Sequence, residues 1–253
     1  RIIHKPNGIF LVTGPTGSGK TTTLYSCLKE INSIEDKVLT AEDPVEYNIE
    51  GLIQLQMREG IGMTFAKALK AFLRQDPDRI MVGEIRDLET AGISIEAALT
   101  GHLVLSTLHT NDAPSAVTRL SDMGVEPFLI TSTIEGVLAQ RLVRRICKYC
   151  KTEYEVTDAE LKALGISRED AGEGMVAVGE GCNECNNTGY RGRTGLFELF
   201  TISRITRDLI MKREAASVIG QQARTEGMRS LREHGIEKVF GGLTSVEEVV
   251  KYT

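Results

Sequence analysis

The 253-residue sequence contains no tryptophan, and no apolar run approaches the roughly 18 to 20 residues that a membrane-spanning helix needs. Its formal net charge is −5, whereas chains that coat nucleic acid are usually basic overall. The N-terminus also lacks the basic, apolar and small-residue regions of a signal peptide. We therefore expect a cytoplasmic protein with no membrane insertion.

Cysteine is sparse, and a cytoplasmic setting favours metal ligation or core packing over disulfides for the five that are present. Four of them form two pairs, Cys147-x₂-Cys150 and Cys182-x₂-Cys185. Two such pairs supply the four thiolates of a closed, structural Zn²⁺ site. We predict that all four bind zinc, and that Cys27, on the apolar face of a helix, is a core thiol.

A glycine-rich segment, residues 14–21, follows the apolar run of residues 9–12 and fits the pattern G-x-x-x-x-G-K-[ST]. A strand, a glycine-rich turn and a helix in this order direct backbone N–H groups at a phosphate. We predict that Lys20 reaches the β and γ phosphates of a nucleotide and that Thr21 binds Mg²⁺. The predicted nucleotide-binding residues are Gly14, Pro15, Thr16, Gly17, Ser18, Gly19, Lys20, Thr21 and Thr22.

Three further apolar runs alternate with helical patterns, which predicts an α/β fold with a mostly parallel sheet covered on both faces. The predicted strands are residues 38–41, 80–82 and 103–108, and the predicted helices are 64–74, 90–100 and 113–123. The predicted regions are a nucleotide-binding core (1–143), a four-cysteine zinc-binding insert (144–195) and a helical C-terminal region (196–253). Because the glycine-rich segment lies so near Arg1, we also expect an N-terminal part beyond this chain.

Ligands of such sheets bind at the carboxyl ends of the strands, so the polar residues found there are candidate site residues. Glu42, Asp43 and Glu46 follow the second predicted strand, and one of them is expected to orient or deprotonate an attacking water. The alternative is that these acids belong to a solvated loop.

The third predicted strand ends in Gly83 and Glu84, followed by Arg86. An apolar strand that ends in an acid is typical of a Walker B element. Because Gly83 occupies the usual aspartate position, Glu84 is expected to serve the Mg²⁺ through water.

The fourth predicted strand lies between His102 and His109. Their odd spacing places the two rings on opposite sides of a strand, which argues against a shared metal. His109, at the carboxyl end, is expected to contact the γ-phosphate, and a structural role is at least as plausible for His102.

Together these segments resemble the secretion and pilus assembly ATPases, which include the type II secretion ATPase and the type IV pilus extension ATPase. The resemblance covers nearly the whole chain. The matching segments are residues 14–21, 42–47, 73–78, 83–87, 100–111, 139–142 and 188–193.

The resemblance implies a RecA-like P-loop core that hydrolyses ATP with Mg²⁺ as a homohexameric ring. It also implies that Glu46 activates the water, that Glu84 is the Walker B glutamate, and that His102 and His109 form the family's histidine box. Glu42, Asp43, Arg86 and His102 are expected to support the site. The implied partner is a platform protein of the inner membrane, where the motor is peripheral, and the four-cysteine insert favours extension or secretion over retraction.

Two other classes of nucleotide-binding protein share some of these features. Arg141, Arg144, Arg145, Lys148 and Lys151 surround the first cysteine pair, which is compatible with a nucleic-acid translocase, although few aromatic residues lie nearby to stack on bases. A GTPase switch is the third possibility, but the chain contains neither N-K-x-D nor D-x-x-G. We expect no nucleic-acid partner.

Overall fold

The computed structural model describes residues 1–172 and 174–253, apart from the side chain of Glu59, and divides the chain into two compact units. The first unit consists of Arg1–Ala139 and Leu199–Met228, and the second of Gln140–Glu198 and Arg229–Thr253. The helical region predicted over residues 196–253 is therefore shared between the two units.

The strands are β1 (Gly8–Thr13), β2 (Val38–Glu42), β3 (Ile53–Gln56), β4 (Arg79–Val82), β5 (Leu103–Leu108), β6 (Ile134–Ile146), β7 (Lys151–Glu155), β8 (Met175–Gly179) and β9 (Tyr190–Phe200). The helices are α1 (Lys20–Ile31), α2 (Phe65–Phe72), α3 (Leu88–Leu99), α4 (Ala113–Asp122), α5 (Pro127–Thr133), α6 (Asp158–Leu164), α7 (Arg204–Met211), α8 (Ala216–Thr225), α9 (Leu231–Phe240) and α10 (Val246–Tyr252). Short 3₁₀ turns cover Ile2–His4, Glu59–Ile61 and Asn183–Cys185.

A sheet with the strand order β3-β2-β4-β5-β1-β6-β9 forms the centre of the first unit, to which the start of β6 and the end of β9 belong. The pairs β1–β5, β1–β6, β2–β3, β2–β4 and β4–β5 are all parallel. As a result, the carboxyl ends of β1, β2, β4 and β5 lie along one edge of the sheet, as the α/β prediction requires.

Helices cover both faces of this sheet because its central strands β1 and β5 are buried at every position and mostly apolar. Val12 of β1 packs in a cluster with Leu28 of α1, whereas its neighbour Leu11 lines an apolar pocket with Ile95 of α3. Successive residues of a strand point to opposite faces, so continuous burial of β1 requires a helical layer on each side.

The second unit contains the antiparallel pair β7–β8 and the helices α6, α9 and α10. Among the residues that the structure describes, one buried apolar cluster of this unit consists of Val156, Leu161, Leu164, Ala171, Val176, Val239, Val246 and Val249. At the start of α10, Ser245 accepts the backbone N–H of Glu248 at 3.3 Å, as a capping residue does.

The helical pattern predicted from Leu196 onward is wrong for its first five residues, which belong to β9. Leu196, Glu198 and Phe200 are buried while Phe197 and Leu199 are exposed, and this alternation has the period of a strand. The first helix after β9 begins at Arg204.

In the parts of the chain that the structure describes, no helix combines the length and the apolar character needed to cross a bilayer.

Candidate functional site

The glycine-rich loop connects the end of β1 to the start of α1 at Lys20. Gly14, Gly17 and Gly19 have φ values of 148°, 79° and 89°, a region that residues with a Cβ rarely adopt. The Nζ of Lys20 donates hydrogen bonds to the carbonyl of Gly14 at 2.8 Å and to that of Pro15 at 3.0 Å. The glycines thus permit a tight turn that places the N-terminus of α1 at the carboxyl edge of the sheet.

The other predicted residues of this loop differ in exposure. Thr16 is exposed, Ser18 is buried, and Thr21 and Thr22 are exposed in the first turn of α1. The first backbone N–H groups of a helix have no acceptor within it and carry a partial positive charge. This end of α1 is therefore suited to an anion.

A buried threonine links the glycine-rich loop to the segment that carries His109. The Oγ1 of Thr13, the residue before Gly14, lies 2.8 Å from the Oγ1 of Thr110 and accepts the backbone N–H of Thr110 at 2.9 Å. It also donates to the carbonyl of Leu108 at 3.0 Å. The ends of β1 and β5 are thereby held together next to His109.

Glu84 lies between two basic side chains just beyond β4. Its carboxylate forms an ion pair with Arg86, and its Oε2 lies 3.4 Å from the Nε2 of His109. The side chain of Glu84 is 14% exposed, whereas that of His109 is 52% exposed. The structure therefore brings together Glu84, Arg86 and His109, which are predicted from two different strand ends.

Gly83 packs so tightly against its neighbours that any side chain at this position would force them to move. A Cβ at this position would lie 3.3 Å from the Ala41 carbonyl oxygen and 3.4 Å from the Phe65 ring. Its own carbonyl accepts a hydrogen bond from the Thr107 hydroxyl at 2.7 Å. This packing explains why the acid at the end of β4 is Glu84, one residue later.

The acids that follow β2 separate into an inner and an outer group. Glu42 is 3% exposed, and its carboxylate accepts hydrogen bonds from Tyr25, from Thr40 at 2.5 Å and from Gln54 at 3.0 Å. Glu42 is thus engaged in the protein interior.

Asp43 and Glu46, by contrast, are exposed in the loop after β2. The backbone N–H of Glu46 donates to the hydroxyl of Tyr25 at 3.1 Å. Burial, followed by the hydrogen bond to Glu42, raises the pKa of Tyr25 to about 12. The sequence motifs do not point to Tyr25, because it lies in none of them and its contact with the site is a hydrogen bond to Glu42, 17 residues away.

His102 lies at the amino end of β5, away from the edge that carries His109. Its Nδ1 is 2.9 Å from the carbonyl oxygen of Ala97 and 3.2 Å from the hydroxyl of Thr100, both at the end of α3. Of the two roles considered for His102, these contacts match the structural one.

The four paired cysteines of the second unit form one compact cluster. Their sulfur atoms all lie within 4.8 Å of one another, and Cys147–Cys182, Cys150–Cys185 and Cys182–Cys185 are separated by 3.9, 3.8 and 3.7 Å. A disulfide requires about 2.05 Å, so the sulfurs are not bonded to each other. The cluster can hold a metal ion.

Backbone N–H groups also point at these sulfurs. The Sγ of Cys150 accepts from Gly181 at 3.3 Å, and the Sγ of Cys185 accepts from Cys182 at 3.2 Å and from Gly189 at 3.3 Å. Burial opposes ionisation of Cys185, but these N–H donors outweigh it and lower the pKa of the thiol to about 6. Stabilisation of a thiolate favours metal binding.

The basic residues near the first cysteine pair include one with partners inside the unit. Arg144 forms an ion pair with the buried Glu248 at 2.8 Å, and its guanidinium carbon lies 3.9 Å from the centre of the Tyr190 ring. Arg144 is therefore engaged in holding the second unit together.

A parallel sheet with a glycine-rich loop and polar side chains at neighbouring strand ends is typical of nucleotide-binding α/β proteins. Residues 1–251 match the family model described as Type II/IV secretion system protein, and the chain belongs to this family. The resemblance seen in the sequence is thus confirmed.

Curated relatives align along the entire chain. It is 52% identical to the type IV pilus assembly ATPase PilB of Thermus thermophilus and 53% identical to the type II secretion system ATPase E of Vibrio cholerae, with 100% of the chain covered in both cases. These matches cover 28% and 50% of the two relatives. The chain thus spans half or less of their length.

Solved structures share the fold. The pilus retraction motor PilT, solved with bound ADP, is 29% identical with a TM-score of 0.73, covering 100% of this chain and 63% of PilT. The Legionella pneumophila ATPase DotB is 24% identical with a TM-score of 0.71, covering 98% of this chain and 60% of DotB. The fold of this chain therefore recurs in the pilus retraction motor PilT and in the ATPase DotB.

Proposed function

We propose that this chain is the ATP-hydrolysing part of a motor that powers type IV pilus assembly. The observation that carries the proposal is that Glu84, His109 and the loop bearing Glu46 follow strands that end at the same sheet edge as the glycine-rich loop. Membership of the secretion family and the names of the relatives support the choice of ATP as the nucleotide.

In this proposal, residues 14–22 bind the phosphates of ATP through backbone N–H groups and the Lys20 ammonium. Thr21 and, through water, Glu84 hold Mg²⁺, which neutralises charge on the phosphate oxygens. His109 lies beside Glu84 and contacts the γ-phosphate. Arg86, paired with Glu84, fixes the orientation of that carboxylate.

Glu46 is the proposed general base, since its side chain is exposed while Glu42 is buried and already engaged. Glu46 takes a proton from a water whose oxygen attacks the γ-phosphorus, and the bond from this phosphorus to the β,γ-bridging oxygen breaks. The products are ADP and inorganic phosphate. Asp43, exposed in the same loop, adds negative charge near this water.

Lys20→Ala tests the nucleotide site in the complete protein. We expect the affinity for ATP to fall at least about tenfold, the size expected for a lost charge-assisted hydrogen bond. Equilibrium binding of a fluorescent ATP analogue measures this affinity, and Lys212→Ala, which removes an exposed lysine directly after α7, is the matched control. Unchanged affinity in Lys20→Ala would contradict the assignment.

Competition between ATP and GTP for the same protein distinguishes an ATPase from a GTPase, and nucleic-acid binding assays test for a translocase. A marked preference for GTP over ATP would contradict the ATPase assignment. Salt-sensitive binding of DNA or RNA together with stimulated hydrolysis would instead indicate a nucleic-acid translocase.

We further propose that the motor is a homohexamer that acts from the cytoplasmic face on a platform protein of the inner membrane. The family and its relatives support this proposal, but identities of 52% and 53% do not separate pilus assembly from type II secretion. Driving a type II secretion pseudopilus is therefore the alternative function. Genetic complementation decides between them, because the complete protein should restore pili, and restored secretion alone would favour the alternative.

Zinc is the proposed ion of the four-cysteine cluster. Four sulfurs bound tetrahedrally at about 2.3 Å from zinc lie about 3.8 Å from one another. Three of the six sulfur–sulfur distances are 3.7 to 3.9 Å and fit this arrangement, and all six are within 4.8 Å. Four protein ligands leave no open position, so the ion has a structural role.

Elemental analysis should find about one zinc per chain, and a value near zero in freshly purified protein would contradict the proposal.

A further inference from the structure

Tyr25 joins the helix that follows the glycine-rich loop to the loop that carries Glu46. It lies four residues after Thr21, one turn further along the same face of α1. Its side chain is 1% exposed, and its hydroxyl donates to the carboxylate of Glu42. The same hydroxyl oxygen accepts the backbone N–H of Glu46 at 3.1 Å.

Chemistry fixes the direction of these hydrogen bonds. The Glu46 N–H can only donate, so an oxygen lone pair of Tyr25 points to Glu46 and the hydroxyl hydrogen is directed to the Glu42 carboxylate. The raised pKa of Tyr25, about 12, keeps its hydroxyl protonated throughout the neutral range. The Glu46 N–H, the Tyr25 hydroxyl and the Glu42 carboxylate thus form a relay, meaning a chain of hydrogen bonds in which each donor and acceptor is defined.

Gln54 of β3 extends this relay to the far side of the loop. Its Nε2 donates to Glu42 at 3.0 Å and to the Tyr47 carbonyl at 3.2 Å, and its Oε1 accepts the Ile49 N–H at 2.7 Å. The loop is therefore held at the backbone of Glu46, Tyr47 and Ile49, while the side chain of Glu46 remains exposed.

We propose that Tyr25 is a positioning residue for hydrolysis, which, together with Glu42 and Gln54, sets the backbone of Glu46 relative to the phosphate-binding end of α1. This inference rests on the proposed function, in which Glu46 is the general base. A general base must lie within hydrogen-bonding reach of the attacking water, and a displacement of about 1 Å can reduce a rate about 100-fold. One oxygen atom connects the helix that holds the phosphates to the backbone that carries the base.

Tyr25→Phe in the complete protein removes this oxygen and keeps the ring. We expect kcat for ATP hydrolysis to fall at least about tenfold, while the KM and the ATP dissociation constant stay within about twofold. Tyr154→Phe is the matched control, because it removes a tyrosine hydroxyl bonded to a glutamate, Glu160, at 2.6 Å in the second unit. The control should leave kcat unchanged.

A double-mutant cycle with Glu46→Gln distinguishes positioning from a general loss of structure. If Tyr25 acts through Glu46, then Tyr25→Phe should lower the residual rate of Glu46→Gln by no more than about twofold. An equal loss of kcat in both backgrounds, or an unchanged kcat in Tyr25→Phe alone, would overturn the inference. If Glu46→Gln itself hydrolyses ATP normally, the proposed function of Glu46 fails instead.

Gln54→Leu keeps the test decisive if Tyr25→Phe does not fold. Gln54 is half-buried, and its loss releases the Tyr47 and Ile49 contacts but leaves Tyr25 bonded to Glu42 and Glu46. We expect kcat to fall while the ATP dissociation constant stays unchanged. A normal kcat in Gln54→Leu would contradict the role of the relay.

Discussion

Both units bring together side chains from distant parts of the sequence, but by different forces. The first unit brings together polar side chains at strand ends, and the second brings together four thiols. Glu84 and His109 approach each other because β4 and β5 are adjacent parallel strands, joined by backbone hydrogen bonds. The cysteine pairs lie on two short turns, each closed by a backbone hydrogen bond between its two cysteines, and the turns bring the four sulfurs together.

This difference has an energetic consequence. The sheet of the first unit orders its site through buried strands whose pairing does not depend on an ion. In the second unit, four cysteine sulfurs lie within 4.8 Å of one another, and a bound cation is needed for all four to ionise together, so metal binding is coupled to the ordering of this cluster. We therefore expect metal to contribute to folding in the second unit and not in the first.

Loss of the metal should have the largest effect. We expect Cys185→Ser to abolish zinc binding and to unfold the cluster region, because binding of structural zinc contributes about 10 kcal/mol or more to folding in small metal-dependent domains. Limited proteolysis followed by mass spectrometry measures where the chain opens.

Cys27→Ser in α1 is the matched control, since it replaces a partly buried core thiol outside the cluster. Cleavage of Cys185→Ser should concentrate within residues 140–198 and leave the first unit intact. Resistance equal to that of the unaltered protein would show that the apolar cluster alone orders the second unit.

Glu248→Ala should lower the free energy of unfolding by a smaller amount. It tests the contacts between Glu248 and Arg144 in the second unit, which involve no metal ligand. The buried Glu248 carboxylate accepts the backbone N–H of Arg144 at 2.7 Å and its Nε at 2.9 Å. Because Arg144 is 45% exposed, most of the loss should come from the unsatisfied N–H, about 1–3 kcal/mol. Urea unfolding measures it, with the exposed Glu247→Ala as control. Equal midpoints for the two variants would contradict this account.

Much of the first unit follows from the sequence. The predicted strand 103–108 coincides with β5, and the helix predicted over residues 113–123 ends one residue from the observed end of α4. Continuous apolar runs and the glycine-rich pattern are local signals, so these elements can be located without knowledge of the tertiary structure.

The orientation of individual side chains could not be predicted in the same way. Three acids in five residues give no sign that Glu42 points inward, because this depends on Tyr25 and Gln54, which lie on other elements. Similarly, Ser245 caps α10 and Glu248 follows it at the spacing of a capping box, but the Glu248 carboxylate turns to Arg144, 104 residues away. Long-range hydrogen bonds override the local pattern at both positions.

Single-turnover hydrolysis by Glu46→Gln at saturating ATP tests whether the exposed carboxylate of Glu46, in the loop after β2, activates the water. We expect ATP to bind with unchanged affinity while the rate of phosphate formation falls about 100-fold or more, the usual contribution of a general base. A normal rate, or a loss of ATP affinity as large as the loss of rate, would contradict this role of Glu46.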